Sequence, residues 1–206
     1  FHISDIHLGK RLNDIDLLED QEGFLEQFLQ VVRLQKPDAV VIAGDVYDRS
    51  IPSADAVVVL DRFLTGLADM GVCTMLISGN HDSAERLSFA SGLLSSRGIH
   101  ICASQGKIKK VVLKDEYGSV NFYLMPFTRP SNISSEDEKP IQDYDAMARE
   151  MIDKACVDYN ERNVLVSHQL YVRNGYEIER SDSETVSIGG TDSIDAAIIE
   201  RFDYAA

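Results

Sequence analysis

The chain has 206 residues, 44% of them hydrophobic and 26% charged, and its formal net charge is −14. This is enough for one domain with a buried core, and no apolar run is long enough to cross a bilayer. The acidic balance argues against a broad basic surface for nucleic acid, but it allows a site where metal cations offset clustered carboxylates. No charged-then-apolar leader is visible, and three scattered cysteines predict reduced thiols in the cytoplasm.

The opening residues 1–9 predict an apolar strand that runs directly into Asp5 and His7. In an extended chain, residues two apart point to the same side, so this carboxylate and imidazole are expected to face one point. Such a pair provides two ligands for a Mn, Fe or Zn site. The alternative is that Asp5 caps a turn and that His7 is an ordinary polar neighbour.

Helices and strands alternate along the rest of the chain. From apolar spacing, helices are predicted at 14–35, 53–70, 83–96, 141–160 and 195–200. Strands are predicted at 39–43, 72–77, 99–102, 107–114, 119–125 and 164–166, near Val186, and from Tyr204 onward. Asp16 and Glu19 have capping-box spacing at the first helix, while 128–140 and 170–194 are polar loops. The alternation predicts an α/β domain with a central layered sheet.

The predicted helix at 53–70 is apolar on nearly every side, because four apolar residues follow one another at 57–60. One side is expected to pack on the sheet. The other side either is buried as well or meets a second copy of the chain.

Potential metal ligands follow four of the predicted strands. They are Asp5 and His7, then Asp45 and Asp48, then Asn80 and His81, and finally His168. Each pair alone is typical of a turn. Because sites in α/β sheets gather at the carboxyl ends of strands, the same placement at four strand ends favours a single site built from all of them.

The motifs D-x-H, G-D-x-x-D and G-N-H-D, followed by a later His, resemble the calcineurin-like metallophosphoesterases in order and spacing. The resemblance implies a four-layer α/β/β/α sandwich with a mixed central β-sandwich, covering 1–206 as one domain. Within the family, the stretches G-D-V-Y-D-R-S and I-S-G-N-H-D-S-A-E-R-L are similar to bacterial nuclease subunits that work with an SMC-like ATPase.

The resemblance also implies a role for each ligand. Two divalent metals, Mn²⁺ ahead of Mg²⁺ or Fe²⁺, would activate a water that attacks phosphorus in line. Asp5 and His7 would hold one metal, Asn80 and His168 the other, and Asp45 would bridge both with its two oxygens. His81 would be the catalytic histidine that helps protonate the leaving oxygen. Asp48 and Asp82 would support the ligands, with Asp82 orienting a neighbouring histidine.

The family pattern continues past Ala206. Members close their site with a G-H-x-H motif after a strand such as the final F-D-Y-A-A, so two further histidine ligands are expected after this residue. The family's capping domain and ATPase-docking segment are expected to be absent. A chain that ends at Ala206 should therefore bind metal weakly and be poorly active.

The sequence is compatible with three functions. The first is a metal-dependent DNA exonuclease and endonuclease of repair and recombination, working with an SMC-family ATPase and dimerising through the 53–70 helix. The second is a phosphoesterase of the same family that acts on a small phosphoester, and the third is a dimeric scaffold without chemistry. Basic residues near the strand-end loops are the candidates for DNA contact, namely Lys10, Arg11, Arg49, Arg129 and Arg173.

Overall fold

The computed structural model describes residues 1–133, 141, 143–173 and 192–206. The helices are α1 (Leu18–Gln35), α2 (Ala54–Asp69), α3 (Ala84–Leu87), α4 (Ser91–Ser95) and α5 (Tyr144–Lys154). The strands are β1 (His2–Ile3), β2 (Arg11–Leu12), β3 (Ile15–Asp16), β4 (Ala39–Ala43), β5 (Cys73–Ile77), β6 (Ile99–Cys102), β7 (Lys109–Asp115), β8 (Gly118–Met125), β9 (Arg162–Ser167), β10 (Leu170–Val172), β11 (Ser193–Asp195) and β12 (Tyr204–Ala205).

Two four-stranded sheets form the centre of the fold. The first is entirely parallel, with the strand order β1-β4-β5-β6. The second has the order β12-β9-β8-β7, in which the β7–β8 hairpin is antiparallel and the other two pairings are parallel. Parallel strands end at one edge of a sheet, so the loops after β1, β4 and β5 lie side by side.

The hydrophobic core has three layers, and β4 shows how they arise. Val40 and Ile42 face a cluster that contains α1 and α2 residues, whereas Val41 and Ala43 face the second sheet. The opposite face of the second sheet packs on α5 through a third cluster that includes Tyr123 and Met147. An apolar strand is needed where both faces are covered, which explains the uninterrupted run at 39–43. The arrangement confirms the four-layer α/β/β/α sandwich.

The first helix differs from its predicted form at its N-terminal end. It begins at Leu18 rather than at residue 14, because 11–16 folds into the small β2–β3 hairpin. Asp16 does not form a capping box with Glu19. Its Oδ1 accepts a hydrogen bond from Leu18 N at 3.0 Å, while the N-cap position is Leu17, which makes no side-chain cap.

The predicted helix at 83–96 is broken into α3 and α4. Ala90 has a left-handed φ of 57°, which no α-helix continues through. The segment is rich in serine and contains Gly92, and both residue types have weak helix propensity. The apolar spacing correctly predicts helical structure in this segment, but it does not show the interruption at Ala90.

Towards the C-terminus, the predicted helix at 141–160 shortens to α5. Asp143 caps it by accepting a hydrogen bond from Ala146 N at 2.7 Å. The predicted helix at 195–200 is a 3-10 turn, Ala196–Ile198. The strand predicted near Val186 and most of the 128–140 loop lie outside the described residues. None of the helices in the described ranges is both long and apolar enough to span a membrane.

Candidate metal centre

The predicted ligands converge on Asp45, at the edge where the parallel strands end. Asp45 follows β4 and is only 3% exposed. Its Oδ2 atom lies 3.5 Å from His168 Nε2, 3.6 Å from His7 Nε2 and 3.9 Å from His81 Nε2. Three imidazoles from three different loops therefore face one carboxylate oxygen.

The other Asp45 oxygen is engaged elsewhere. Oδ1 accepts a hydrogen bond from His81 N at 2.9 Å. The family resemblance implied that the two oxygens of Asp45 are divided between two metals, but in the structure the single atom Oδ2 faces both His7 and His168. The backbone contact to Oδ1 fixes the carboxylate plane in this orientation.

Asp5 and His7 lie close together, but through a backbone conformation that the sequence did not predict. They do not lie in an extended strand, because both have left-handed φ angles, 53° and 47°. The loop is instead hydrogen-bonded to the neighbouring loop, through Asp5 N to Gly44 O and His7 N to Asp45 O. His7 Nε2 then lies 3.8 Å from Asp5 Oδ1. Non-glycine residues with positive φ are uncommon and persist where the surroundings hold them.

Backbone carbonyls orient two of the histidines. His168 Nδ1 lies 2.7 Å from Ala43 O, and His81 Nδ1 lies 2.8 Å from Asp48 O. A carbonyl only accepts, so each Nδ1 carries a proton and each Nε2 is the ring nitrogen turned towards Asp45. This is the second contact that a metal-binding histidine usually makes.

Asp82 does not orient a histidine, contrary to the sequence prediction. Its carboxylate accepts hydrogen bonds from Val46 N, Tyr47 N and Gly79 N at 2.9–3.1 Å. It thereby ties the loop after β4 to the loop after β5. Burial and the nearby Asp45 carboxylate raise the pKa of Asp82, against the effect of these three donors.

Asp48 lies beside His7, as expected of a supporting residue. Its Oδ1 is 3.7 Å from His7 Nδ1, and its Oδ2 is 3.6 Å from Arg49 Nε. His7 Nδ1 is buried and has no hydrogen-bond partner among the described residues. The Asp48 carboxylate is thus the acidic group placed to support this nitrogen.

The electrostatics of the centre favour a charged pair. Burial opposes ionisation of Asp45, yet the imidazoles of His168 and His81 and the His81 N–H outweigh it, so the pKa of Asp45 is lowered. Burial likewise opposes protonation of His168, but the Asp45 carboxylate and the Ala43 carbonyl raise its pKa. Asp45 and His168 therefore stabilise each other in their charged forms, as a carboxylate and an imidazolium.

Two glycines leave the space that the centre needs. A Cβ on Gly79 would lie 2.7 Å from Asp45 Cγ and closer still to Oδ1, and a Cβ on Gly44 would lie 2.8 Å from His168 Cβ. Gly44 also has a φ of +89°. From the sequence alone, both glycines are predicted only as turn residues. Their position directly before Asp45 and Asn80 is the feature of the sequence that indicates a role in making room for the ligands.

Asn80 lines a cavity of about 830 Å³ together with Asp5 and His168. Arg129 and Phe127 also line this cavity. Asn80 therefore reaches the same space as two of the other predicted ligands, from the loop after β5.

The five basic residues proposed for DNA contact are all exposed, but they differ in position. Arg49 contacts Asp48, and Arg129 lines the cavity beside Asn80. Arg173 is paired with Glu200 at 3.1 Å, and Arg11 donates to Asp14 O. Lys10 lies just after the Asp5–His7 loop, with its N–H bonded to His7 O. Of the five, Arg49 and Arg129 border the centre by these contacts.

The spacing of the ligand atoms suits divalent cations. Carboxylate and histidine ligands lie about 2.0–2.2 Å from a bound transition metal, so two ligands of one ion are roughly 3–4 Å apart. The pairs His7–Asp5, His7–Asp45 and His168–Asp45 have separations of 3.5–3.8 Å. Among the described residues, two groups of side chains place their ligand atoms within 4.8 Å of one another, one of His7, Asp48 and His81 and one of Asp5, Asp45 and His168.

The sequence model of the calcineurin-like phosphoesterase family matches residues 1–186. With the four-layer sandwich and the cluster around Asp45, this defines the class of protein: the chain belongs to the calcineurin-like phosphoesterases. Divalent metal ions are the cofactors of that family, and the residues at the centre fit them.

Two curated relatives indicate which group within the family this chain is similar to. Each is named as the D subunit of the nuclease SbcCD, one from Staphylococcus saprophyticus and one from Staphylococcus epidermidis, and each is 35% identical to this chain. The matches cover 98% of this chain and 53% or 54% of the relative, so the chain spans about half the length of these proteins. The resemblance to bacterial nuclease subunits that the motifs indicated is confirmed.

A solved structure supports the fold independently. The protein TT1561 of Thermus thermophilus superposes with a TM-score of 0.51, over 84% of this chain and 68% of the other, at 13% identity. At this identity the match speaks for the architecture alone.

Proposed function

We propose that this chain is the metal-binding domain of a nuclease that hydrolyses phosphodiester bonds in DNA. The observation that carries the proposal is the position of Asp45 Oδ2, which lies 3.6 Å from His7 Nε2 on one side and 3.5 Å from His168 Nε2 on the other. One carboxylate oxygen between two separate imidazoles is the arrangement expected of a bridging ligand in a two-metal site.

The two metals would have different ligand sets on this chain. One set is Asp5, His7 and Asp45, and the other is Asp45, Asn80 and His168. The first set is supported by the His7–Asp5 and His7–Asp45 separations, and the second by the cavity that Asn80 and His168 share. When bound, such ions lower the pKa of a water molecule and draw charge from the phosphoryl oxygens. Mn²⁺ is the first choice, ahead of Mg²⁺ and Fe²⁺.

His81 is the proposed catalytic residue. Its side chain is 43% exposed, so it can reach a substrate, and its Nε2 faces the centre 3.9 Å from Asp45 Oδ2. The Nδ1–H is held by Asp48 O, which leaves Nε2 as the atom that exchanges a proton. From this position the imidazolium would donate to the leaving oxygen of the phosphodiester.

DNA is favoured over a small phosphoester as the substrate. The two relatives that resemble nearly the whole chain are called nuclease subunits, and the side chains of Arg49 and Arg129 border the centre. Phosphate contacts of this kind position a strand without reading its sequence. The acidic composition implies that affinity for DNA depends on the metals and on partners as well.

An SMC-family ATPase like SbcC is the proposed partner, because the relatives are subunits of the nuclease SbcCD. The proposed location is the bacterial cytoplasm, where the three free cysteines of the chain would stay reduced.

A homodimer through α2 is also proposed. Val57 and Val58 are 45% and 44% exposed on this helix, whereas Val59 and Leu60 are buried against the sheet. The helix therefore has one face in the core and an outward face on which two exposed valines lie one turn before exposed charged residues. A second copy of the chain would cover that face.

The test uses purified protein that includes the expected G-H-x-H segment, with Mn²⁺ and linear duplex DNA. His81→Ala should reduce DNA hydrolysis by at least about 100-fold, the usual lower range for a general acid. His100→Ala is the matched control, since His100 lies in β6 beside Ser95 rather than at the centre. Hydrolysis of a chromogenic diester but not of DNA would favour the small-phosphoester alternative. Unchanged activity in His81→Ala would overturn the assignment.

A further inference from the structure

The Asp5–His7 loop is held from a second side, by a residue that the motifs do not include. Gln21 lies in the first turns of α1 and is half-buried. Its Nε2 donates to Ile6 O and to His7 O, each at 2.8 Å, and its Oε1 accepts from Gly9 N at 3.0 Å. One side chain thus makes three hydrogen bonds to the backbone of a four-residue stretch.

The stretch needs such support because its backbone is strained. Asp5, His7 and Gly9 all have left-handed φ angles, and the first two are not glycines. A loop of this kind keeps its shape only where contacts over-determine it. The β4 loop provides contacts to the N–H groups of Asp5 and His7, and Gln21 provides them to the carbonyls.

The chemistry of the amide matches this task. The carbonyls of Ile6 and His7 need donors, and the N–H of Gly9 needs an acceptor. Glutamine supplies both from one planar group, whereas glutamate or methionine of similar length supplies at most one of the two. The identity of the side chain, rather than its bulk, therefore determines the loop geometry.

We propose that Gln21 is a positioning residue that sets the affinity of the Asp5–His7 side of the centre for its metal. This rests on the proposed two-metal function. Gln21 does not touch the ligand atoms; it fixes the main chain from which the His7 imidazole and the Asp5 carboxylate extend. Loss of its hydrogen bonds frees the loop from its left-handed conformation, and the 3.8 Å approach of His7 Nε2 to Asp5 Oδ1 is lost with it.

The test measures Mn²⁺ binding by electron paramagnetic resonance of the free ion, in protein that includes the expected G-H-x-H segment. Gln21→Met removes all three hydrogen bonds at nearly constant length. Gln21→Glu keeps an acceptor for Gly9 but directs a carboxylate at two carbonyls. Both variants should weaken one Mn²⁺ site by roughly 10–100-fold, the range for partners that orient a ligand, and leave the Asn80–His168 site within about twofold.

Controls separate this role from a general loss of structure. Gln30→Met changes an exposed glutamine of the same helix and should leave both sites unchanged. Equal weakening of both sites, or weakening by Gln21→Met but not by Gln21→Glu, would contradict a donor role at the Asp5–His7 loop. Wild-type affinity in both Gln21 variants would overturn the inference. Wild-type protein that binds no Mn²⁺ would overturn the two-metal function itself, and the Gln21 role with it.

Discussion

The contact between Gly79 and Asp45 offers a sharp test of how tightly the centre is built. The backbone of Gly79 is not left-handed, so alanine is conformationally acceptable there. Its Cβ, however, would lie 2.7 Å from Asp45 Cγ and closer still to Oδ1 and the backbone N of the same residue. Non-bonded heavy atoms rest about 3.5 Å apart, so Gly79→Ala must move the two groups apart by roughly 1 Å.

A displacement of this size has two expected consequences. Overpacking of a buried site costs about 1–3 kcal/mol of unfolding free energy. A shift of about 1 Å in a positioned group costs on the order of 100-fold in function, and Asp45 is the proposed bridge between both metals. We therefore expect Gly79→Ala to remain folded but to lose at least about 100-fold in Mn²⁺ affinity at both sites.

The assay is Mn²⁺ titration calorimetry of protein that includes the expected G-H-x-H segment, beside denaturant unfolding of the same protein without metal. Gly23→Ala is the matched control, because a Cβ on Gly23 in α1 meets nothing within 4 Å. That change should leave Mn²⁺ binding unchanged and raise stability by about 0.5–1 kcal/mol, as for alanine replacing glycine in a helix. Folded Gly79→Ala protein with wild-type Mn²⁺ affinity would refute the reasoning that Asp45 is the shared ligand.

Further expectations concern stability, assembly and thiol chemistry. Asp82→Ala leaves three backbone N–H groups without their acceptor, so the free energy of unfolding in urea should fall by at least about 2 kcal/mol. A loss under about 0.5 kcal/mol would contradict the role of Asp82 in joining the two loops. Val58→Glu should lower the mass in solution from that of a dimer to that of a monomer, without unfolding the protein. Val31→Glu is the control, because Val31 is an equally exposed valine of α1, and it should leave the mass unchanged. An unchanged mass for Val58→Glu would exclude α2 as the interface. A thiol reagent at neutral pH should label the exposed Cys156 of the native protein well before Cys102, because burial raises the pKa of the Cys102 thiol. Rapid labelling that persists in Cys156→Ser would contradict this order of reactivity.

The ligands at the strand ends could be predicted because the pattern that marks them lies within a few consecutive residues. An uninterrupted apolar run at 39–43 indicates a strand covered on both faces, and Asp45 directly after it lies at the edge of the sheet. The four-layer fold followed from the family resemblance of those motifs.

The parts that were missed depend on contacts between distant segments. The left-handed backbone at Asp5 and His7 exists because the β4 loop and Gln21 hold it, and neither contact has a local signature. The position of Asp82 beside His81 predicts a histidine partner, whereas its carboxylate accepts hydrogen bonds from the β4 loop. The break at Ala90 has no signature in the apolar spacing.

Anomalous scattering from Mn²⁺-soaked crystals, of protein that includes the expected G-H-x-H segment, tests the two-metal centre bridged by Asp45. Two anomalous peaks about 3.5–4 Å apart are predicted, one next to Asp5 and His7, the other next to Asn80 and His168, and both within bonding distance of Asp45 Oδ2. Saturating Mn²⁺ that gave peaks only away from Asp45, or none at all, would contradict it.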